Sequence, residues 1–163
     1  MCQKAVYPGS FDPITYGHLD IIKRAQEIFS EVIIAVAHNP RKKPLFSVEE
    51  RVEMIKRASR DDIEGLIIED FDGLVIDYTS KKKAKVIIRG LRMISDFEYE
   101  FQMALTNRKL APQLETIFLM PQESYSYLSS SLLKEAASLG ADLSHFVPDF
   151  VEKALKNKLY KSS

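Results

Sequence analysis

The stretch Gly9-Ser10-Phe11-Asp12-Pro13-Ile14-Thr15-Tyr16-Gly17-His18 puts a turn-rich segment between a short apolar run and the start of a helical pattern. A helix start offers unpaired N–H groups and partial positive charge, which suits a phosphate. Gly9 lets the chain turn tightly after a strand, and Gly17 lets a ligand approach the backbone. His18, in the first helical turn, adds a side-chain donor. A second element of this kind is Ser129-Ser130-Ser131, where hydroxyls and the amides of another helix start can both meet phosphate oxygens. Cations complete the set. Arg89 and Arg92 follow a buried apolar run, and Lys42 lies in a loop bounded by Pro40 and Pro44. Two guanidinium groups at a strand end are costly unless anions or carboxylates meet them, and Asp96 and Glu98 are the nearby carboxylates that could.

These groups need a scaffold, and the apolar pattern predicts one. Strands are expected at residues 5–7, 32–37, 66–69, 86–88 and 116–119, alternating with helices at 17–29, 47–58, 73–83, 96–110, 129–139 and 148–159. Ser47 and Glu50 have capping-box spacing, Asp96 is the expected N-cap of its helix, Gly140 suits a C′ position and Pro148 an N1 position. On the 96–110 helix, Tyr99 and Met103 lie off the Phe97–Phe101 face, a second apolar stripe suited either to subunit contacts or to the core. The expected fold is α/β: a single-domain, Rossmann-like, doubly wound five-stranded parallel sheet with helices on both faces, covering residues 1–163 and closing with the 148–159 helix. Ligands of such sheets bind beyond the carboxyl ends of the strands. Residues 10–18, Lys42, 89–92 and 122–131 all fall there.

Composition narrows the partners. At 163 residues the chain fits one domain, and its 23 acidic and 23 basic residues balance. A nucleic-acid binder of this size usually carries a basic excess, so no nucleic-acid partner is expected and a small-molecule ligand is favoured. The lone Cys2, the lack of a membrane-length apolar run and a start unlike a signal peptide make the cytoplasm the expected compartment, with no membrane partner.

Thr15-Tyr16-Gly17-His18 and Leu128-Ser129-Ser130-Ser131-Leu132-Leu133-Lys134 resemble the two phosphate-binding signatures of the nucleotidyltransferase superfamily. Lys134 stands where the second signature has Arg, which keeps charge but loses bidentate geometry, so Lys134 is left outside the expected site. Residues 7–18, Lys42-Lys43-Pro44, Ile88-Arg89-Gly90-Leu91-Arg92, Asp96-Phe97-Glu98-Tyr99-Glu100, Phe118-Leu119-Met120-Pro121 and His145-Phe146-Val147-Pro148 extend the match over nearly the whole chain. Together they closely resemble the bacterial phosphopantetheine adenylyltransferase family.

That resemblance implies an enzyme that transfers adenylyl from ATP to 4′-phosphopantetheine, yielding dephospho-coenzyme A and pyrophosphate. It implies magnesium with ATP, a homohexamer and coenzyme A as a feedback ligand. It assigns Ser10, Lys42, Val75 and Arg89 to phosphopantetheine. It assigns Ser10, Phe11, His18, Gly90, Leu91, Arg92, Glu100 and the segment Tyr125, Ser126, Tyr127, Leu128, Ser129, Ser130 and Ser131 to ATP, with His18 holding the phosphate in transfer. The chemistry suits these residue types. A phosphomonoester acceptor has its second pKa near ~6 and is largely ionised at neutral pH, so no general base is required. Alignment and charge neutralisation suffice, and no dedicated metal-ligand set is recognisable. The alternatives are another phosphorylated acceptor, such as nicotinamide mononucleotide, or a non-catalytic nucleotide-binding module.

Overall fold

The computed structural model describes residues 3–39, 43–59, 66–127 and 129–160. Lys42 and Leu128 lie outside the described residues. The elements run β1 (Lys4–Gly9), α1 (Tyr16–Ile28), β2 (Glu31–Ala37), α2 (Val48–Ser59), β3 (Ile67–Phe71), α3 (Val75–Lys81), β4 (Val86–Gly90), α4 (Ile94–Leu110) and β5 (Glu115–Leu119). A 3-10 turn (Glu123–Tyr125), α5 (Ser130–Ser138) and α6 (Asp149–Tyr160) complete the order. The five strands form one sheet in the order β3-β2-β1-β4-β5. Every pairing is parallel. The doubly wound α/β architecture expected from the pattern is the one observed.

Alternation along the strands builds two cores. Ala5, Tyr7, Val32, Ile34, Val36, Val86 and Ile88 point to one face and pack with Ile22 and Ala25 of α1, Ile55 of α2, Leu133 of α5 and Val151 and Leu155 of α6. Val6, Ile33 and Ala35 point to the other face, where Val75 and Tyr78 of α3 pack partly buried against them. Ile87 meets Ile76, Ala111 and Leu114 on that same face. Strands covered on both sides read as unbroken apolar runs, which is why β2 is Glu-Val-Ile-Ile-Ala-Val-Ala.

Several boundaries move. β4 runs on through Arg89 and Gly90 instead of ending at Ile88, because Ile88, Arg89 and Gly90 pair with Ile117, Phe118 and Leu119 of β5. α4 begins at Ile94 with Met93 in the N-cap position, not Asp96. Asp96 sits in the first turn, where a carboxylate suits the helix dipole, and its Oδ2 accepts from Arg92 Nε at 3.3 Å. Gly9 is also not the turning residue. It ends β1 in register with Val36, and the left-handed residue is Phe11 at φ 48. Phe11 folds back over Gly9, and a Cβ there would stand 3.0 Å from the Phe11 ring.

α4 is exceptional among the helices. Glu100 is its one buried residue, while Ile94, Phe97, Tyr99, Phe101, Met103, Leu105 and Leu110 are exposed. Among the described residues, no helix is long and apolar enough to cross a membrane.

Candidate active site

Two cavities open at the carboxyl ends of the strands. The first, about 410 Å³, lies between the N-termini of α1 and α5 and is lined by Ser10, Phe11, Asp12, Thr15, Gly17, His18, Arg89, Gly90, Arg92, Tyr125, Ser129, Ser130, Ser131 and Lys134, among others. The second, about 380 Å³, is more apolar, with Leu74, Val75 and Ile76 on one wall and Tyr99, Met103 and Leu110 of α4 on the other. They share Pro8, Gly9, Ser10, Asn39, Arg89 and Glu100. One end of the site therefore offers helix N-termini and cations, the other an apolar slot, and the two meet at Ser10 and the Arg89–Glu100 pair.

His18 is held by the residue that caps its helix. Thr15 Oγ1 accepts from the His18 backbone N–H at 3.3 Å, while the Thr15 backbone N–H donates to His18 Nδ1 at 3.1 Å. This is a capping box with imidazole in place of the usual Glu or Gln. Because Nδ1 accepts, the proton of the neutral ring sits on Nε2. Enclosure of the ring pushes its pKa down from 6.5 to about 4, with the Arg92 charge acting in the same direction. The Phe11 ring packs edge-on against it at 5.1 Å between centroids. His18 is thus a neutral Nε2–H donor on the cavity wall.

The cations come with partners. Arg89 donates from Nε to Glu100 Oε2 at 2.9 Å and from Nη2 to Glu100 Oε1 at 2.7 Å, a bidentate pair, and from Nη1 to Pro8 O at 3.0 Å. The carboxylate expected opposite the arginines thus proves to be Glu100 for Arg89 and Asp96 for Arg92, while Glu98 is exposed and takes neither role. Tyr7, buried beneath Phe11, has its phenol pKa pushed well up by burial and remains a neutral hydroxyl.

Of the residues named from sequence, Ser10, Phe11, His18, Arg89, Gly90, Arg92, Glu100, Tyr125, Ser129, Ser130 and Ser131 line the first cavity. Val75 lines the second. Leu91, Ser126 and Tyr127 line neither. Ser126 Oγ bonds back to Gln122 O at 3.1 Å, and Tyr127 is exposed. At Gly90 the side chain of α1 residue Ile21 lies close over the strand: a Cβ there would meet Ile21 Cδ1 at 2.8 Å.

Asp12 and Arg51 belong to the site without having been assigned to it from sequence, and Lys134, placed outside the expected site, belongs to it as well. Lys134 lines the first cavity, its Nζ 2.8 Å from Asp12 Oδ2. Asp12 also accepts from the backbone N–H groups of Leu45 and Phe46. Arg51 is 1% exposed and donates from Nη1 to Ser10 O at 2.7 Å and to Ala37 O at 3.1 Å. Lys134 carried a usable signal, its place in the serine-helix motif, and Asp12 carried one in its place within the Gly9–His18 stretch; Arg51, in α2, carried none.

The two carboxylates on the first cavity are both engaged, Asp12 by Lys134 and Glu100 by Arg89. Among the described residues no cluster of three His, Cys, Asp or Glu side chains could hold a metal ion. The arrangement suits a polyphosphate gripped by amides, hydroxyls and cations, and does not fit a metal held by the protein.

Residues 6–136 match the cytidylyltransferase-like family. A phosphopantetheine adenylyltransferase of Caldanaerobacter subterraneus subsp. tengcongensis is 57% identical over 158 residues, covering 97% of this chain and 98% of that one. One from Alkaliphilus metalliredigens is 56% identical over 153 residues, covering 94% and 97%. Among solved structures, a Plasmodium falciparum nicotinic acid mononucleotide adenylyltransferase complexed with NaAD superposes with a TM-score of 0.71 at 14% identity, covering 99% of this chain and 96% of that one. At that identity the likeness speaks to the fold alone.

Proposed function

The chain belongs to the cytidylyltransferase-like family and, within it, to the phosphopantetheine adenylyltransferases, and from that membership we propose how its own residues carry the reaction. Adenylyl transfer from ATP to 4′-phosphopantetheine forms a bond between an acceptor phosphate oxygen and the α-phosphorus of ATP. It breaks the bond from that phosphorus to the β-phosphate oxygen, giving dephospho-coenzyme A and pyrophosphate. The attacking oxygen is already ionised at neutral pH, so the protein orients two substrates and neutralises charge.

ATP occupies the first cavity in this reading. His18 Nε2–H is the donor to the phosphate undergoing transfer, with the α1 N-terminus behind it. Ser129, Ser130 and Ser131 at the α5 N-terminus, with Arg92, take the remaining phosphates, while Phe11, Gly90, Glu100 and Tyr125 complete the cavity around the nucleotide, and the family resemblance adds Leu91, Ser126, Tyr127 and Leu128 from the adjoining segments. The acceptor phosphate sits where the cavities meet, held by Ser10, Arg89 and Lys42, and its pantetheine arm lies along Val75 in the apolar cavity. The single observation that carries this reading is the junction itself: a cationic cavity and an apolar one share Ser10 and Arg89. Magnesium enters as part of the substrate, on the ATP phosphates, which that ion prefers while keeping its waters.

A cytoplasmic homohexamer belongs to the same proposal, supported by the exposed apolar residues of α4. Coenzyme A, which shares the product's two ends, fits as a feedback ligand in the same pair of cavities.

The test is pyrophosphate release from magnesium-ATP with 4′-phosphopantetheine, with nicotinamide mononucleotide, or with no acceptor. Release only with phosphopantetheine supports the reading. Release only with nicotinamide mononucleotide would overturn the acceptor, and release with neither would leave a nucleotide-binding module.

A further inference from the structure

We propose that Asp12 is a positioning residue for this reaction, setting the gap between the acceptor-side loop and the triphosphate-side helix α5. The proposal rests on the placement of the two substrates given above. Asp12 is 4% exposed, and its carboxylate accepts from two segments far apart in the chain. Oδ2 accepts from the Leu45 N–H at 2.9 Å and from Lys134 Nζ at 2.8 Å, and Oδ1 accepts from the Phe46 N–H at 2.9 Å.

Each link has a consequence for the site. Leu45 and Phe46 follow directly on Lys43 and Pro44, so the backbone three residues beyond Lys42 in the sequence is anchored at this carboxylate. Arg51 grips the same segment from its other side, with Nε on Phe46 O at 3.2 Å and Nη1 on Ser10 O at 2.7 Å. The Phe46 residue is therefore held at its N–H by Asp12 and at its C=O by Arg51. Toward ATP, Asp12 fixes the ammonium of a lysine that would otherwise sample many rotamers on the cavity wall. With its oxygens committed to three donors, Asp12 is not free to act as a base or metal ligand. Its effect passes through the groups it holds.

Asp12→Asn separates this role from a merely structural one. An asparagine keeps one acceptor oxygen and replaces the other with an NH2 group that cannot accept from an amide N–H. The expected result is a KM for ATP and a KM for phosphopantetheine that both rise, and a kcat that falls, each by about tenfold. Lys134→Met cuts only the α5 link, so it should raise the KM for ATP about fivefold and leave the acceptor KM within about twofold. A destabilised Asp12→Asn protein with both KM values and kcat within about twofold of wild type would overturn the inference. Should Asp12→Asn fail to fold, Lys134→Met decides, and an unmoved KM for ATP overturns it. Wild-type dephospho-coenzyme A formation is measured alongside. Its absence would overturn the substrate placement and this inference with it, whereas its presence beside unmoved variants would overturn this inference alone.

Discussion

The backbone N–H of Thr15 donates to Nδ1 of His18 across 3.1 Å, and that bond decides which side of the imidazole carries the proton. With Nδ1 accepting, Nε2 is the donor left for a ligand. A neutral donor suits a reaction in which charge on a non-bridging phosphate oxygen must be met without proton transfer. His18→Ala is expected to lower kcat by about 100-fold with a smaller effect on ATP affinity. Steady-state kinetics check this, and a kcat loss below about threefold would remove His18 from the transition state.

The pH dependence follows from the same ring. Enclosure holds the folded-state pKa of His18 at about 4, below its ordinary 6.5. An unfolded chain therefore binds this proton more readily than the native one between those values. The contribution of His18 to stability is full above about pH 6.5 and is lost as the pH falls toward about 4. Melting temperatures of wild type and His18→Asn, followed from neutral to acid, should show the steeper early fall in wild type. Parallel curves would mean that the ring titrates normally.

Local rules made much of the scaffold legible. The Ser47–Glu50 capping box forms as its spacing requires, Ser47 N–H to Glu50 Oε2 at 2.7 Å and Glu50 N–H to Ser47 Oγ at 3.2 Å. Gly140 takes the left-handed conformation, φ 81, after α5. What stayed hidden depends on contacts between distant segments. Arg89 finds Glu100 only because α4 folds back against β5, the strand beside β4, and a nearer acidic residue such as Glu98 looks as good from the sequence. The Thr15 cap was obscured because histidine replaces the Glu or Gln that marks such boxes. Lys134 was set aside for losing the geometry of arginine, yet a single ammonium suffices to reach Asp12 at 2.8 Å.

Arg89 is the next test, because its fork makes two bonds to Glu100 and one to Pro8 O. A lysine keeps the charge but cannot hold both carboxylate oxygens in plane. Glu100, 8% exposed, would then be left with a poorly matched partner. Arg89→Lys is expected to raise the KM for phosphopantetheine about tenfold and to lower the melting temperature, with the KM for ATP moving less. Kinetics with each substrate varied in turn distinguish these. An acceptor KM within about twofold of wild type would place the acceptor phosphate elsewhere.

α4 supplies the test of assembly. Phe97 and Phe101 stack at 5.5 Å between centroids yet remain 44% and 46% exposed, and Ile94 is 90% exposed. A contiguous apolar face on one helix is costly in water unless another surface covers it. The wall of the apolar cavity runs along the same helix through Tyr99, Met103 and Leu110, so subunit packing would also steady that wall. Phe101→Glu puts a charge into that face while keeping a good helix former. Sedimentation should show a hexameric wild type and a smaller species for the variant, with far-ultraviolet dichroism unchanged. A wild type sedimenting as a monomer would remove the hexamer from the proposal. A variant that stays hexameric would move the contact off Phe101 and onto the rest of the α4 face.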